Sequence, residues 1–195
     1  MALFLEHGFA GTSVDEIVAR ADVAKGTFFS YFATKPAVLE DYYRALDARF
    51  FGALEALDPA RPEASMARYY RFAERLLRAE GARARVLFEA IGSDPSLGGI
   101  DRASGEDVER RVAAFLATAR RRGTVRSTVD PELAARVLTD VWSATVRDWF
   151  EGKQAFPLAR RLAAKASLLF AGITPRSGRR DLVPKKEPRG SRTGR

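Results

Sequence analysis

The chain has 195 residues, a formal net charge of +8 and no cysteine, which excludes disulfide frameworks and thiolate metal sites. No apolar run approaches the roughly 20 residues of a membrane span, and the N-terminus lacks a basic segment followed by an apolar signal core. We therefore expect a globular protein of the reducing cytoplasm, long enough to bury a sizeable core.

The positive charge is concentrated at the C-terminus. Residues 174–195 contain eight basic and two acidic side chains with almost nothing apolar, which predicts a basic disordered tail. Two interpretations stay open: the tail adds salt-sensitive DNA affinity through phosphate contacts, or it is a solvated extension without a defined role. Because most of the net charge lies there, charge alone is weak evidence that the folded part binds nucleic acid.

The first eight residues are predicted to form the end of a short helix. Leu3, Phe4 and Leu5 are its apolar residues, and Gly8 is expected to terminate it. A helix of about seven residues has little intrinsic stability and depends on tertiary packing. We expect that the start codon is assigned too late, and the alternative is a clipped first helix. His7 is the only histidine, and we expect it to be a helix-end residue rather than a metal ligand or base.

Two short helices joined by a tight turn are predicted next. Ser13 and Glu16 form an S-x-x-E capping box, which marks where the first of them begins. Helical spacing then continues through a short apolar series: Val14, Ile17, Val18 and Ala21. After Asp22 and Val23 a second helix follows, in which Phe28 and Phe32 share a face. This is the helix-turn-helix pattern.

The second of these helices carries more aromatic surface than docking requires. Phe28 and Phe32 suffice to bury one face, yet Phe29 and Tyr31 flank them. Lysine, hydroxyl and aromatic side chains suit a DNA groove, where they meet phosphates, backbone oxygens and thymine methyl groups. Alternatively, Phe29 and Tyr31 pack against later helices, and periodicity alone does not separate these two interpretations.

Three quoted stretches, Phe9–Ile17 (FAGTSVDEI), Val23–Phe32 (VAKGTFFSYF) and Thr34-Lys35, closely resemble the N-terminal signature of the tetracycline-repressor (TetR/AcrR) family. The signature is ordered and specific, and it covers about the first quarter of the chain. The resemblance implies a double-stranded DNA partner with a palindromic operator. The positions matching the family's DNA contacts are Thr12, Ser13, Lys25, Gly26, Thr27, Phe29, Ser30, Tyr31 and Lys35.

Three residues depart from the family pattern. Asp22 replaces the usual turn glycine, where it tolerates left-handed geometry but places an acid near phosphate. Ala24 stands where a serine often caps the recognition helix, and Phe29 stands where tyrosine is usual. We therefore expect the unit to fold and to recognise DNA, with its affinity as the property most affected.

The rest of the chain shows no strand-like alternation, which predicts an all-α fold. Thr34, Lys35 and Pro36 are expected to open a helix that reaches Leu57, with Thr34 as its cap. Further helices are predicted at about 63–80, 82–92, 104–122, 131–152 and 156–173, and Ser93–Asp101 is expected to be a long loop. We divide the chain into a helix-turn-helix domain (1–45), a helical ligand-binding and dimerisation domain (46–173) and the tail (174–195).

The helix from Pro131 has an apolar face that is too wide for a surface helix, so a second packing partner is implied. The residues alone indicate only a helical core. The family resemblance implies that the last two long helices pack against their counterparts in a homodimer, and half-site recognition by a helix-turn-helix normally uses such a two-fold dimer.

Family resemblance also implies a repressor that a small ligand, held in the C-terminal domain, releases from DNA. Candidate pocket residues are Tyr69, Phe72, Phe88, Phe115, Trp142 and Arg147, with Trp149 and Glu89 as further candidates. The alternative is that these aromatics are core. We expect no cofactor, no metal and no catalytic site, since there is one histidine and no phosphate-cradling glycine loop. The alternative function is a dimeric helical ligand-binding or scaffold protein with impaired DNA binding.

Overall fold

The computed structural model describes residues 1–175, within which it contains nine helices and no strand, so the predicted all-α fold is confirmed. Apart from Thr174 and Pro175, the predicted tail lies outside the described residues. The helices, in chain order, are α1 (Ala2–His7), α2 (Val14–Ala21), α3 (Lys25–Tyr31), α4 (Ala37–Glu55), α5 (Pro62–Glu80), α6 (Ala82–Ser93), α7 (Pro95–Arg121), α8 (Pro131–Glu151) and α9 (Leu158–Ile173).

The first three helices form the predicted helix-turn-helix unit. Helix α1 ends at Gly8, whose φ of 74° places it among conformations that glycine adopts without strain. Helix α2 starts at the Ser13–Glu16 capping box and ends at Asp22, which adopts the left-handed conformation with φ 52° and ψ 47°. The substitute for the usual turn glycine therefore occupies the conformation that the turn requires.

The expected loop at Ser93–Asp101 is wrong, because helix α7 begins at Pro95 rather than near residue 104. The Asp94 carboxylate accepts hydrogen bonds from the backbone N–H groups of Ser96 (3.0 Å) and Leu97 (3.3 Å), and Pro95 occupies the first turn. Leu97 is buried, so packing stabilises a helical start that its two following glycines disfavour.

Helix α4 also begins differently from the prediction. It starts at Ala37 behind Pro36, and no side chain caps it, so the predicted Thr34 cap is wrong. The other predicted helix boundaries agree with the structure to within two residues.

Helices α4 to α9 enclose one apolar core, to which α1 is attached through its contact with α6. Helix α5 packs along α9, and α8 packs along both α7 and α9. Helices α4 and α7 also contact each other. None of the helices within residues 1–175 is long and apolar enough to cross a membrane.

The wide apolar face of α8 is divided between two environments. Leu138 and Trp149 are buried against α7 and α9, whereas Leu133 and Val137 point outward and are exposed. On α9, Leu168 is 79% exposed. The outward apolar side chains of α8 and α9 therefore have no cover within the described chain, as the width of the pattern predicts.

Candidate nucleic-acid interface and internal cavity

Helix α3 is anchored by one side chain and presents the others to solvent. Phe28 is buried, and its ring meets Phe29 edge-on at 5.3 Å and Phe32 in a tilted pair at 5.5 Å. Phe29 remains 47% exposed and Tyr31 80% exposed. Burial therefore does not explain this aromatic surface.

The remaining predicted contact residues on α3 are also at the surface. Lys25, Gly26, Thr27 and Ser30 are all exposed, and the Ser30 hydroxyl donates to the Thr27 carbonyl oxygen at 2.7 Å. The Lys25 ammonium lies 2.7 Å from Asp15 on α2 in an exposed ion pair. Because exposed pairs are weak, Lys25 is free to exchange this partner for a phosphate.

Ser13 combines exposure with a structural task. Its hydroxyl accepts from the Glu16 N–H at 3.2 Å, and its own N–H donates to the Glu16 carboxylate at 2.7 Å. The hydrogen bond from the Ser13 backbone is the main reason that the pKa of Glu16 lies below its ordinary value. The capping box thus fixes the start of α2 next to α3.

Thr12 and Lys35 direct their side chains inward. Thr12 is buried, and its hydroxyl donates to the Gly8 carbonyl oxygen at 2.8 Å. The Lys35 ammonium donates to the carbonyl oxygens of Phe9 (2.8 Å) and Thr12 (2.9 Å), and lies 4.3 Å from the Phe9 ring centroid. Both side chains therefore join the segment between α1 and α2 to neighbouring structure.

The same lysine faces the first turn of α7. The hydrogen bond from the Ser96 hydroxyl is the largest cause of the lowered pKa of Asp94, and the positive charge of Lys35 also contributes. The charge of Lys35 therefore acts on the residue that caps the start of α7.

A cavity of about 270 Å³ lies among α4, α5, α6, α7 and α8. Aromatic rings dominate its walls: Trp142 lies 5.9 Å from both Phe50 and Tyr69, and Phe88 stacks on Phe150 at 4.7 Å. A wider groove of about 890 Å³ runs along α7 and the α7–α8 turn, but it is open and carries no aromatic ring. The aromatic cavity is therefore the better candidate ligand site.

One end of this cavity is polar. The Tyr43 hydroxyl donates to the Asp101 carboxylate at 2.9 Å, and Asp47 and Ser104 lie beside this pair. Burial raises the pKa of Asp47, the neighbouring Asp101 carboxylate raises it further, and a hydrogen bond from Ser104 opposes the shift. Burial also raises the pKa of Tyr43, which therefore stays protonated.

The structure brings three of the predicted pocket residues, Tyr69, Phe88 and Trp142, into the cavity wall. The other three, Phe72, Phe115 and Arg147, do not line it. The Phe72 ring packs edge-on against Phe50, Phe115 faces a groove beside α4, and Arg147 is exposed on the outer side of α8. The two further candidates also lie elsewhere, since Trp149 is buried in the core and Glu89 is exposed.

Sequence reasoning missed the polar end of the cavity. Asp47 follows Tyr43 by four residues and precedes Phe50 by three, so an acid on the buried face of α4 was a visible signal. Asp101 carries no such signal, because Gly98 and Gly99 just before it favour a loop locally, and Ser104 lies at the uncertain edge of the predicted helix. Within residues 1–175 there is no cluster of three or more metal-ligating side chains.

Residues 1–42 match the family described as bacterial regulatory proteins, tetR family. Among curated proteins, the HTH-type transcriptional repressor DhaR of Mycobacterium sp. (strain GP1) is 37% identical over 57 residues. That match covers 27% of this chain and 29% of the repressor, so the chain matches less than a third of that relative's length.

Solved structures resemble most of the chain. SmeT, the repressor of the Stenotrophomonas maltophilia multidrug efflux pump SmeDEF, superposes with a TM-score of 0.72 at 24% identity, over 96% of this chain and 91% of its own. FadR of Thermus thermophilus, a transcriptional repressor solved in complex with lauroyl-CoA, gives a TM-score of 0.61 at 28% identity, over 90% and 92%. The fold is therefore shared along almost the entire described chain.

Proposed function

We propose that this chain is a cytoplasmic, sequence-specific DNA-binding repressor of the tetR family that a small molecule releases from its operator. The match of residues 1–42 to that family supports the proposal. The observation that carries the proposal is the exposed aromatic face of α3. Phe28 is the buried residue of this helix, while Phe29 and Tyr31 remain at the surface. Exposed aromatic side chains that have no binding partner favour aggregation, so their presence indicates a binding surface.

In the proposed complex α3 lies in the major groove. Lys25 contacts a phosphate, and Thr27 and Phe29 meet base edges, the ring of Phe29 against a thymine methyl group. Gly26 leaves room for close approach, since a side chain there would meet no protein atom within 4 Å.

The other proposed contacts are with the DNA backbone. Ser13, Ser30 and Tyr31 offer exposed hydroxyl groups at the edges of the same surface. Thr12 and Lys35 serve the interface indirectly, because their side chains hold the preceding turn in place.

A second copy of the chain supplies the other recognition helix. The exposed Leu133, Val137 and Leu168 lie on α8 and α9, which we propose as the dimer interface. A two-fold dimer places its recognition helices about 34 to 36 Å apart, which matches successive major grooves of a palindromic operator.

The proposed release mechanism uses helices α4 and α7, which would connect the cavity to the helix-turn-helix unit. Helix α4 contributes Asp47 and Phe50 to the cavity wall, and α7 contributes Asp101. Asp94, which caps the start of α7, is affected by the charge of Lys35. A ligand that binds one arrangement of these helices better than the other shifts the separation of the recognition helices. The ligand can shift the equilibrium between the two arrangements only by as much as its affinities for them differ.

Fluorescence anisotropy or gel shift with DNA from upstream of the protein's own gene tests the proposal. We expect Thr27→Ala and Phe29→Ala to lower operator affinity by about 1 to 3 kcal/mol and to relax base preference. Lys25→Ala should weaken binding to all sequences alike and reduce the salt slope by about one. Arg121→Ala, an exposed substitution at the end of α7, is the control.

Unchanged operator preference in both the Thr27 and Phe29 variants would refute the assignment of base contacts to α3. Absence of any specific binding by the folded wild-type protein would favour the alternative of a dimeric ligand-binding or scaffold protein.

A further inference from the structure

We propose that the cavity takes a lipophilic organic cation, namely a protonated amine with an aromatic or alicyclic body, whose ammonium group lies between the carboxylates of Asp47 and Asp101. This deepens the proposed function, on which it rests, because it names the chemical class of the regulatory ligand. The assignment depends on charge, an unpartnered hydroxyl and the shape of the walls.

Charge is the first argument. Within residues 1–175, neither Asp47 nor Asp101 has a nitrogen atom of lysine, arginine or histidine in salt-bridge distance, whereas acids such as Glu80 and Glu74 do. Arg102 lies at the edge of the cavity and is exposed, and it forms no ion pair with either carboxylate. Asp47 is half-buried and Asp101 is exposed, and both line the cavity. Two carboxylates there without a basic partner attract a positive charge.

The neighbouring polar groups do not supply that charge. Tyr43 and Ser104 are neutral hydrogen-bond donors, and Asp101 accepts from Tyr43. Burial raises the pKa of Asp47, and the charge of Asp101 raises it further, so a cation between them would relieve both effects.

The hydroxyl of Tyr69, which lines the cavity, is the second, independent observation. Tyr69 is only 6% exposed and lines the cavity, yet its hydroxyl forms no hydrogen bond within the described residues. Tyr69 lines the same cavity as Asp47 and Asp101. A buried hydroxyl normally has a partner, and an N–H group of a bound ammonium would provide one.

The walls define the body of the ligand. Trp142 presents its ring between Phe50 and Tyr69, and the stacked pair of Phe88 and Phe150 lies on the same cavity. Such rings bind apolar and aromatic groups, and their faces also attract a cation. A volume of about 270 Å³ suits a small ligand with one ring and a short chain rather than a long acyl group.

Three probes that differ only in the head group test the charge directly: 4-phenylbutylamine, 4-phenylbutanol and 4-phenylbutyrate. Isothermal titration calorimetry at pH 7 uses the full chain without DNA. We expect the amine to bind on the order of tenfold more tightly than the alcohol, and the carboxylate to bind more weakly than either, because it meets two acids.

Asp47→Asn should weaken binding of the amine by about tenfold and change the affinity for the alcohol by less than about threefold. Binding of the alcohol then shows that the cavity is intact. Arg102→Ala should not weaken binding of the amine. Should Asp47→Asn fail to fold, Asp101→Asn and the order of the three probes on the wild-type protein still decide the question.

Tightest binding of the carboxylate, lost in Arg102→Ala, would overturn the proposal in favour of an anionic ligand. Equal binding of amine and alcohol would overturn it in favour of a neutral ligand, and failure of all three on folded protein would overturn it as well. None of these results affects DNA binding measured by gel shift, so failure here is distinguishable from failure of the proposed repressor function.

Discussion

The ammonium group of Lys35 lies 2.9 Å from the carbonyl oxygen of Thr12 and donates a hydrogen bond to it. It makes a second such bond to Phe9, so this lysine connects the start of α4 to the turn between α1 and α2. Family resemblance implies a DNA contact for Lys35, whereas these bonds indicate that its side chain stabilises the reading unit.

Lys35→Met should therefore lower the free energy of unfolding by about 1 to 3 kcal/mol, because two carbonyl oxygens lose a charged donor. Urea denaturation followed by circular dichroism measures this. Lys25→Met is the matched control: its ammonium meets only Asp15 at the surface, so stability should change by less than about 1 kcal/mol. If instead Lys35→Met keeps full stability and reduces the salt slope of DNA binding by about one, Lys35 contacts phosphate.

Asp22 supports a second prediction, since it holds a left-handed conformation at the end of α2. Asp22→Gly should stabilise the protein by about 0.5 to 1 kcal/mol, because glycine adopts this conformation without strain. Asp22→Ala should destabilise it by a similar amount. Asp22→Asn removes the acid from the negative end of the α2 dipole but keeps a side chain, so it separates the electrostatic part from the backbone part. A glycine variant less stable than the asparagine variant would contradict the prediction.

The short helices of the reading unit were predictable because their boundaries are set by local chemistry. The capping box at Ser13 and the turn at Asp22 act within a few residues, so their effect is visible in the sequence. The start of α7 was not, because Gly98 and Gly99 disfavour a helix locally. The burial of Leu97 against the rest of the core outweighs that preference, and such packing is not local.

The cavity illustrates the same difference. Helical spacing shows that Tyr69 and Phe72 are apolar neighbours on α5, but only the packing of five helices places Tyr69 at the cavity and Phe72 against Phe50. Asp47 was identifiable as an acid on a buried face, whereas its approach to Asp101 depends on the contact between α4 and α7. Spacing predicts which residues are buried, and tertiary structure decides which of them surround a void.

Glu74 carries a prediction about pH. Burial alone would raise its pKa, but hydrogen bonds from the Ala159 N–H at 2.9 Å and from Arg78 outweigh burial and lower it. Since the folded-state pKa lies below the ordinary value of 4.5, this stabilisation is fully present above about pH 4.5 and is lost as pH falls through the folded-state pKa.

Glu74→Gln should accordingly cost about 1 to 2 kcal/mol at pH 7, because the α5–α9 contact loses its charged acceptor. The difference from wild type should shrink as pH falls below 4.5. Denaturation at several pH values tests this, with the exposed Glu106→Gln as control. A gap that stays constant down to pH 3 would show that ionisation of Glu74 is not the cause.

Leu168 tests the proposed dimer, because it is the most exposed aliphatic side chain on α9 at 79%. Burying a leucine is worth about 1.5 to 3 kcal/mol, and a two-fold interface contains two copies, so Leu168→Glu should raise the dimer dissociation constant by a hundredfold or more. Sedimentation velocity of this variant should show a folded monomer.

The control is Ala79→Glu, which adds the same charge at an exposed site of α5 and should remain dimeric. Operator affinity should fall when the dimer is lost, since a monomer contacts one half-site only. A Leu168→Glu variant that stays dimeric at micromolar concentration would place the interface elsewhere.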